Sequence, residues 1–144
     1  MYTHILVPVE HSDADKTILA HVRDLAHMTG ARLLLVHVAD GWAARNYDAL
    51  ALRESEEMRD DREYLDQLVQ EIQAHGIQVD CTLAKGDPAT EIVRVAEDAG
   101  VDLIAMATHG HRFLADVLKG ATADRVRHLT CIPVLMLRHQ APRS

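Results

Sequence analysis

Five short apolar runs, separated by amphipathic stretches of helix length, constrain this chain more than any other feature of its sequence. The runs are Ile5 to Val9, Leu33 to Val38, Ile77 to Leu83, Leu103 to Ala107 and Pro133 to Leu137. The first, second, fourth and fifth are nearly continuous in apolar residues, the pattern of strands covered on both faces. The third, Ile77-Gln78-Val79-Asp80-Cys81-Thr82-Leu83, alternates apolar and polar side chains and fits a half-covered strand nearer a sheet edge.

The intervening stretches carry helical periodicity. Ile18, Val22, Leu25, Ala26 and Thr29 share one face, and Ser12 with Asp15 makes a start resembling a capping box. A longer second helix has the stripe Met58, Leu65, Leu68, Val69 and Ile72. The third opens with Asp87 as cap and Pro88 in the first turn, then buries Ile92, Val95, Ala96 and Ala99. Leu118, Thr122, Val126 and Leu129 form the fourth stripe. Gly30, Gly76 and Gly100 each end a helix just before a strand, where a left-handed closing residue is wanted.

The order is βαβαβαβαβ, with connections long enough for right-handed crossovers. It predicts an α/β fold: a doubly wound, five-stranded parallel sheet with helices on both faces. Such sheets bind ligands outside the carboxyl ends of their strands, where the strand order reverses. That rule singles out Val9-Glu10-His11, Val38-Ala39-Asp40 and Ala107-Thr108-His109-Gly110. With 144 residues and no second domain, repeat or low-complexity tract in view, residues 1–144 read as one domain. Residues 39–49, including Trp42, read as an irregular link, and the tail from His139 as loose.

Charge narrows the partners. Lys and Arg number 15 against 22 Asp and Glu, a formal net of −7, and aromatics are only 3%. This balance disfavours nucleic acid and anionic membranes as partners. No run is long enough to span a bilayer, and the start lacks the basic region of a secretory signal, so the cytoplasm is the expected location. Cys81 and Cys131 lack CxxC spacing and read as two buried small hydrophobes, not as a disulfide frame or a zinc site.

The stretch from Ala107 to Thr122 carries the most chemistry. A strand ends, Gly110 permits a turn, and Gly120 precedes a helical start, an arrangement whose free amides and dipole suit a phosphate. From His109 to His128, Arg112, Lys119, Arg125 and Arg127 face only Asp116 and Asp124, a positive island in an acidic chain. The plainer alternative is a connecting loop followed by a solvated helix face.

At these residues the chain resembles the universal stress protein family, almost end to end. Ile5-Leu6-Val7-Pro8-Val9-Glu10 is similar to the family's first strand, which usually closes in Val-Asp. Gly86-Asp87-Pro88 resembles its Gly-x-Pro stretch, and Cys131-Ile132-Pro133-Val134-Leu135-Met136 its last strand. ATP-binding members show G-x2-G-x9-G-[S/T]; here the sequence is Ala107-x2-Gly110-x9-Gly120-Ala121. The resemblance implies a flavodoxin-like or Rossmann-like fold of the adenine nucleotide alpha-hydrolase type. It also implies a homodimer paired through Pro133, Val134, Leu135 and Met136 and, in one subclass, bound ATP, with or without Mg. Carried over by position, Pro8, Val9, Glu10, Val38 and Ala39 border adenine and ribose. Ala107, His109, Gly110, Gly120, Ala121 and Thr122 enclose the phosphates, with Arg112 in the same basic loop. Three departures stand out: Glu10 lengthens the usual aspartate by a methylene, Ala107 replaces the first glycine, and Ala121 deletes a hydroxyl beside Thr122.

Other chemistries fit less well. His109-x-His111, with His11 nearby, falls short of the four ligands of a closed zinc site. The sequence has no GxSxG elbow and no GxxxxGK[ST] loop. The third run ends in Leu83-Ala84-Lys85, without the phosphate-accepting aspartate of a receiver domain. Arg53 to Asp66, dense in both signs, reads as a solvated helix face, with a lid or a docking surface for an unidentified protein partner as the sharper alternative. The expectation is therefore a dimeric stress-response module binding ATP as a regulatory ligand, hydrolysing it slowly at most. The competing expectations are a nucleotide-free interaction module and a slow hydrolase or transferase using Glu10 or His109.

Overall fold

In a computed structural model of the chain, residues 1–40, 51–109 and 114–139 are described, without the side chains of residue 40, residues 51–55, residue 109 and residues 114–121. Their elements alternate as the apolar runs require: β1 (His4–Pro8), α1 (Ala14–Thr29), β2 (Arg32–Asp40), α2 (Ala51–Gln73), β3 (Val79–Gly86), α3 (Pro88–Ala99), β4 (Leu103–His109), α4 (Leu114–Leu129) and β5 (Val134–His139). All strand pairs are parallel, in the order β3-β2-β1-β4-β5.

Side-chain alternation along the central strands divides the core into two layers. Ile5, Val7, Leu33, Leu35, Leu103 and Ala105 face Ile18 and Val22 of α1 and Leu65 and Ile72 of α2. Leu6, Val36, Ile104 and Met106 point the other way, onto Ile92 and Ala96 of α3 and Ala123 and Val126 of α4. The central strands are thus covered on both faces, which is why they are apolar without interruption. The alternating third run is an edge strand, as its pattern indicates, although it pairs from Val79 to Gly86 and leaves Ile77 buried just outside it.

Several expectations need correction. The last run, as apolar as the central ones, forms the opposite edge strand; none of its residues is buried and Met136 is 44% exposed. Leu129, assigned to the buried stripe of α4, is 50% exposed, and of the two cysteines read as buried Cys81 is only partly buried and Cys131, in the turn before β5, is exposed. Ala39 and Asp40, read as the start of an irregular link, extend β2 and pair with Lys85 and Gly86 of β3. Trp42 and residues 140–144 lie outside the described residues.

Helix ends follow the local chemistry. Gly30, Gly76 and Gly100 all have positive φ, and the Gly100 amide closes α3 onto the Ala96 and Glu97 carbonyls. Asp87 caps α3, accepting from the Thr90 amide at 3.1 Å and the Thr90 hydroxyl at 2.7 Å, with Pro88 in the first turn.

Candidate functional site

The chain winds outward from β1 through β2 to β3, then returns to β4 on the other side of β1. The strand order therefore reverses between β1 and β4, and a crevice opens there at the carboxyl ends. It holds a pocket of about 180 Å³. Pro8, Val9 and Glu10 supply the β1 wall, Val36, His37 and Val38 the β2 wall, and Met106 and Ala107 the β4 wall. Pro88 and Ile92 of α3, Thr122 of α4 and Asp15 of α1 complete it.

Of the residues singled out from the sequence, Pro8, Val9, Glu10, Val38, Ala107 and Thr122 thus line one pocket. Ala39 lies next along β2 but is not among the lining residues. His109 ends β4; Gly120 and Ala121, expected just before a helical start, instead fall inside α4, which already begins at Leu114, so they do not sit at its N-terminus with free amides; the side chains of His109 and Ala121, and the whole of Gly110 and Arg112, lie outside the described residues. Asp15, Val36, His37, Pro88, Ile92 and Met106 line the pocket without having been singled out for it. Asp15, Pro88 and Ile92 read as helix caps or stripe and Val36, His37 and Met106 as strand residues, and only the packing of α3 against β2 and β3 turns Pro88 and Ile92 into pocket walls. The signal available was Asp87-Pro88 directly after a strand, which puts a helix start at the carboxyl edge.

The β1 end is tightly organised. His11 has a φ of 63°, the one positive value at a non-glycine residue among the described residues. The turn lets the amides of Glu10, His11 and Ser12 converge on the Asp15 carboxylate, which is 2% exposed. Asp15 also accepts from the Tyr64 hydroxyl of α2. Burial, reinforced by the Asp15 hydrogen bond, pushes the Tyr64 pKa well above the usual tyrosine value, so the hydroxyl stays a donor. The Ser12 hydroxyl accepts from the Ala14 amide at 3.3 Å while donating to Glu10 Oε2 at 3.0 Å. Only half of the expected capping box forms: Asp15 reaches back to the Ser12 amide, but the Ser12 hydroxyl meets the Ala14 amide and not that of Asp15, and the residue that caps α1 is Asp13, whose side chain makes no cap bond.

A second polar layer ties the crevice to α2. Asp61 meets His11 Nδ1 at 3.3 Å and His37 Nε2 at 3.2 Å, and His37 Nδ1 lies 2.9 Å from the Val9 carbonyl. The His11 ring stacks on Tyr64 with centroids 4.0 Å apart. These histidines are therefore engaged with a carboxylate, and among the described residues no group of three or more His, Cys, Asp or Glu is placed to hold a metal.

The basic island divides. Arg125 pairs with Asp87 at 3.0 Å and Arg127 with Asp124 at 2.7 Å, so both arginines already have carboxylate partners. The hydrogen bond from Arg125, followed by those from Thr90, holds the Asp87 carboxyl far below the usual carboxylate range. A slot walled by Val9, Val38, Ile92 and Met106, with the Glu10 carboxylate at its β1 end, suits a flat heteroaromatic base attached to a hydroxylated sugar.

Comparison with known proteins gives a consistent answer. The model of the family described as "Universal stress protein family" matches residues 1–138. Universal stress protein MJ0577 of Methanocaldococcus jannaschii is 27% identical over 157 residues, covering 97% of both chains. The solved structure of MJ0577 superposes with a TM-score of 0.87 at 27% identity, covering 99% of each chain. A universal stress family protein from Burkholderia pseudomallei, also 27% identical, gives a TM-score of 0.74 over 94% of this chain and 96% of its own. The universal stress protein from Archaeoglobus fulgidus in complex with dAMP shares the fold, with a TM-score of 0.70 at 22% identity over 94% of this chain and 97% of its own.

Proposed function

The chain belongs to the universal stress protein family, and on that premise we propose that it is a stress-response module binding ATP as a regulatory ligand in the β1/β4 crevice. The observation that carries this reading is the convergence of Pro8, Val9, Glu10, Val38, Ala107 and Thr122 on a single pocket at the point of strand reversal. Their sequence positions are the ones at which the family resemblance puts adenine, ribose and phosphates. The A. fulgidus relative holds dAMP on the same fold, so an adenine nucleotide is compatible with the architecture.

In this assignment the base lies between the aliphatic walls, and Glu10 accepts from ribose hydroxyls. The phosphates run toward Ala107, His109, Gly110, Arg112 and the stretch of α4 at Gly120, Ala121 and Thr122. Ala121 removes one hydroxyl donor, which costs about 0.5–1.5 kcal/mol, or at most around tenfold in affinity. Binding therefore survives the altered motif. Magnesium, when present, would accompany the phosphates and supply charge neutralisation. Ser12 is not among the residues that line the pocket, and its hydroxyl is held between Glu10 and the Ala14 amide. Turnover of ATP is accordingly slow at most.

The working unit is a cytoplasmic homodimer built from a single domain, joined through Pro133, Val134, Leu135 and Met136. The exposure of Met136 on an edge strand supports this, since an unpaired apolar edge is a template for pairing with another chain. No helix among the described residues is long and apolar enough to cross a membrane. Native mass spectrometry of freshly purified protein, with and without added Mg-ATP, tests both proposals at once. A dimer carrying adenine nucleotide is expected. A bare dimer indifferent to millimolar ATP would leave a nucleotide-free interaction module instead.

A further inference from the structure

The crevice is defined at its β1 end by a turn whose shape depends on one buried carboxylate. We propose that Asp15 is a positioning residue for ligand recognition: its carboxylate fixes where Glu10 presents itself to the ribose, and Tyr64 on α2 secures Asp15 for that task. The inference rests on the adenine-nucleotide reading of the pocket.

The geometry supports it in three steps. The consecutive amides of Glu10, His11 and Ser12 point at Asp15 from 2.9, 2.8 and 3.3 Å, a concave arrangement that in other proteins receives an anion from outside. Here the anion is internal and buried, so these amides are already committed to Asp15. The turn also requires the left-handed conformation of His11, which an unbranched backbone preference does not supply. Asp15 is the group that rewards it.

The second step concerns Glu10. Its amide is held by Asp15 Oδ1 while Ser12, anchored through its own amide to Asp15 Oδ2, donates its hydroxyl to Glu10 Oε2. Backbone and side chain of Glu10 are thus both referred to the same buried carboxylate. The third step is polarity. Two carboxylates, Glu10 and Asp15, line the β1 end of the pocket, which favours hydroxyl donors there and turns phosphates toward β4 and α4. Tyr64 enters from α2, donating at 2.5 Å to the same Asp15 oxygen while its ring stacks on His11.

Calorimetric dissociation constants for ATP, 2′-deoxy-ATP and 3′-deoxy-ATP test the proposal in wild type, Glu10→Gln, Asp15→Asn and Tyr64→Phe. The wild type is expected to prefer ATP by about tenfold over the analogue lacking the hydroxyl that Glu10 accepts. Asp15→Asn should bring that ratio toward one, as Glu10→Gln should, and combining Glu10→Gln with Asp15→Asn should bring it no lower. Tyr64→Phe keeps the stacked ring, removes one donor and should reduce the ratio part of the way. Equal weakening of all three ligands by Asp15→Asn, with the ratio kept, overturns the proposal, because that is what a merely structural residue would do. If Asp15→Asn does not fold, Tyr64→Phe decides, and a fully retained ratio overturns it. A wild type that binds ATP without any hydroxyl preference overturns this inference alone. A wild type that binds no adenine nucleotide overturns the nucleotide reading and the inference with it.

Discussion

Asp15 and Asp87 both sit at helix N-termini, yet they act on different things. Asp15 is buried and spends its carboxylate on the preceding turn, whereas Asp87, with 46% of its side chain exposed, caps its own helix and pairs with Arg125 across to α4. The Asp87 arrangement carries a pH dependence whose sign follows from its lowered pKa. The contribution is fully present above the unfolded carboxyl pKa, about 3.9, and is lost as pH falls through the lower folded value. Asp87→Ala should therefore cost about 1 kcal/mol at neutral pH through loss of the cap. The gap between wild type and variant in urea midpoints should narrow below about pH 4. A gap that stayed constant down to pH 2 would show that the charge of Asp87 is not what stabilises α3. Asp87-Pro88 was legible in the sequence because cap and proline act within one turn. Asp15 was legible only as half of a capping box. Its reach to the Glu10 and His11 amides depends on the φ of His11, and histidine does not announce a left-handed turn as glycine does.

At the scale of elements, glycine punctuation and apolar runs carried most of the information. Gly100 closes α3 at φ 68°, with open space where a Cβ would stand. Gly100→Ala should therefore cost about 1 kcal/mol by conformational strain alone, and equilibrium urea unfolding would read it; no loss would mean that the helix end relaxes freely. Strand position was harder to read than strand existence. The β5 run is apolar like β1 and β4, and nothing in Val134-Leu135-Met136-Leu137 distinguishes coverage by a helix layer from coverage by another copy of the chain. The structure shows β5 at the sheet edge with Met136 44% exposed. Val134 packs partly against the α3/α4 core layer, so a charge there would disturb folding as well as pairing. Met136→Lys is the cleaner variant. It should give the mass of a monomer in light scattering while keeping the circular dichroism spectrum of the wild type. An unchanged dimer mass would move the interface away from β5.

For the whole molecule, the alternation of strands and helices made the doubly wound sheet legible before any coordinates. The strand order 3-2-1-4-5 was not written in the periodicity, since a local pattern says which segments pair with helices and not which strand neighbours which. That order matters because it places the reversal between β1 and β4 and gathers Val9, Glu10, Val38 and Ala107 into one crevice. The pocket walls from α3 escaped sequence reading for the same reason. Pro88 and Ile92 are a helix start and a core stripe locally, and become part of the site only when α3 folds against the sheet's carboxyl end. Neither the fold nor the pocket depends on Ala107 and Ala121 being the glycine and hydroxyl residues of the fuller motif.

The central claim is that this crevice binds an adenine nucleotide despite those two alanines. Isothermal titration calorimetry of the purified, nucleotide-stripped protein with Mg-ATP addresses it most directly. The assignment predicts saturable binding with one site per chain and a dissociation constant no more than about tenfold weaker than the same protein with Ala121→Ser. A flat titration at millimolar ATP would contradict it.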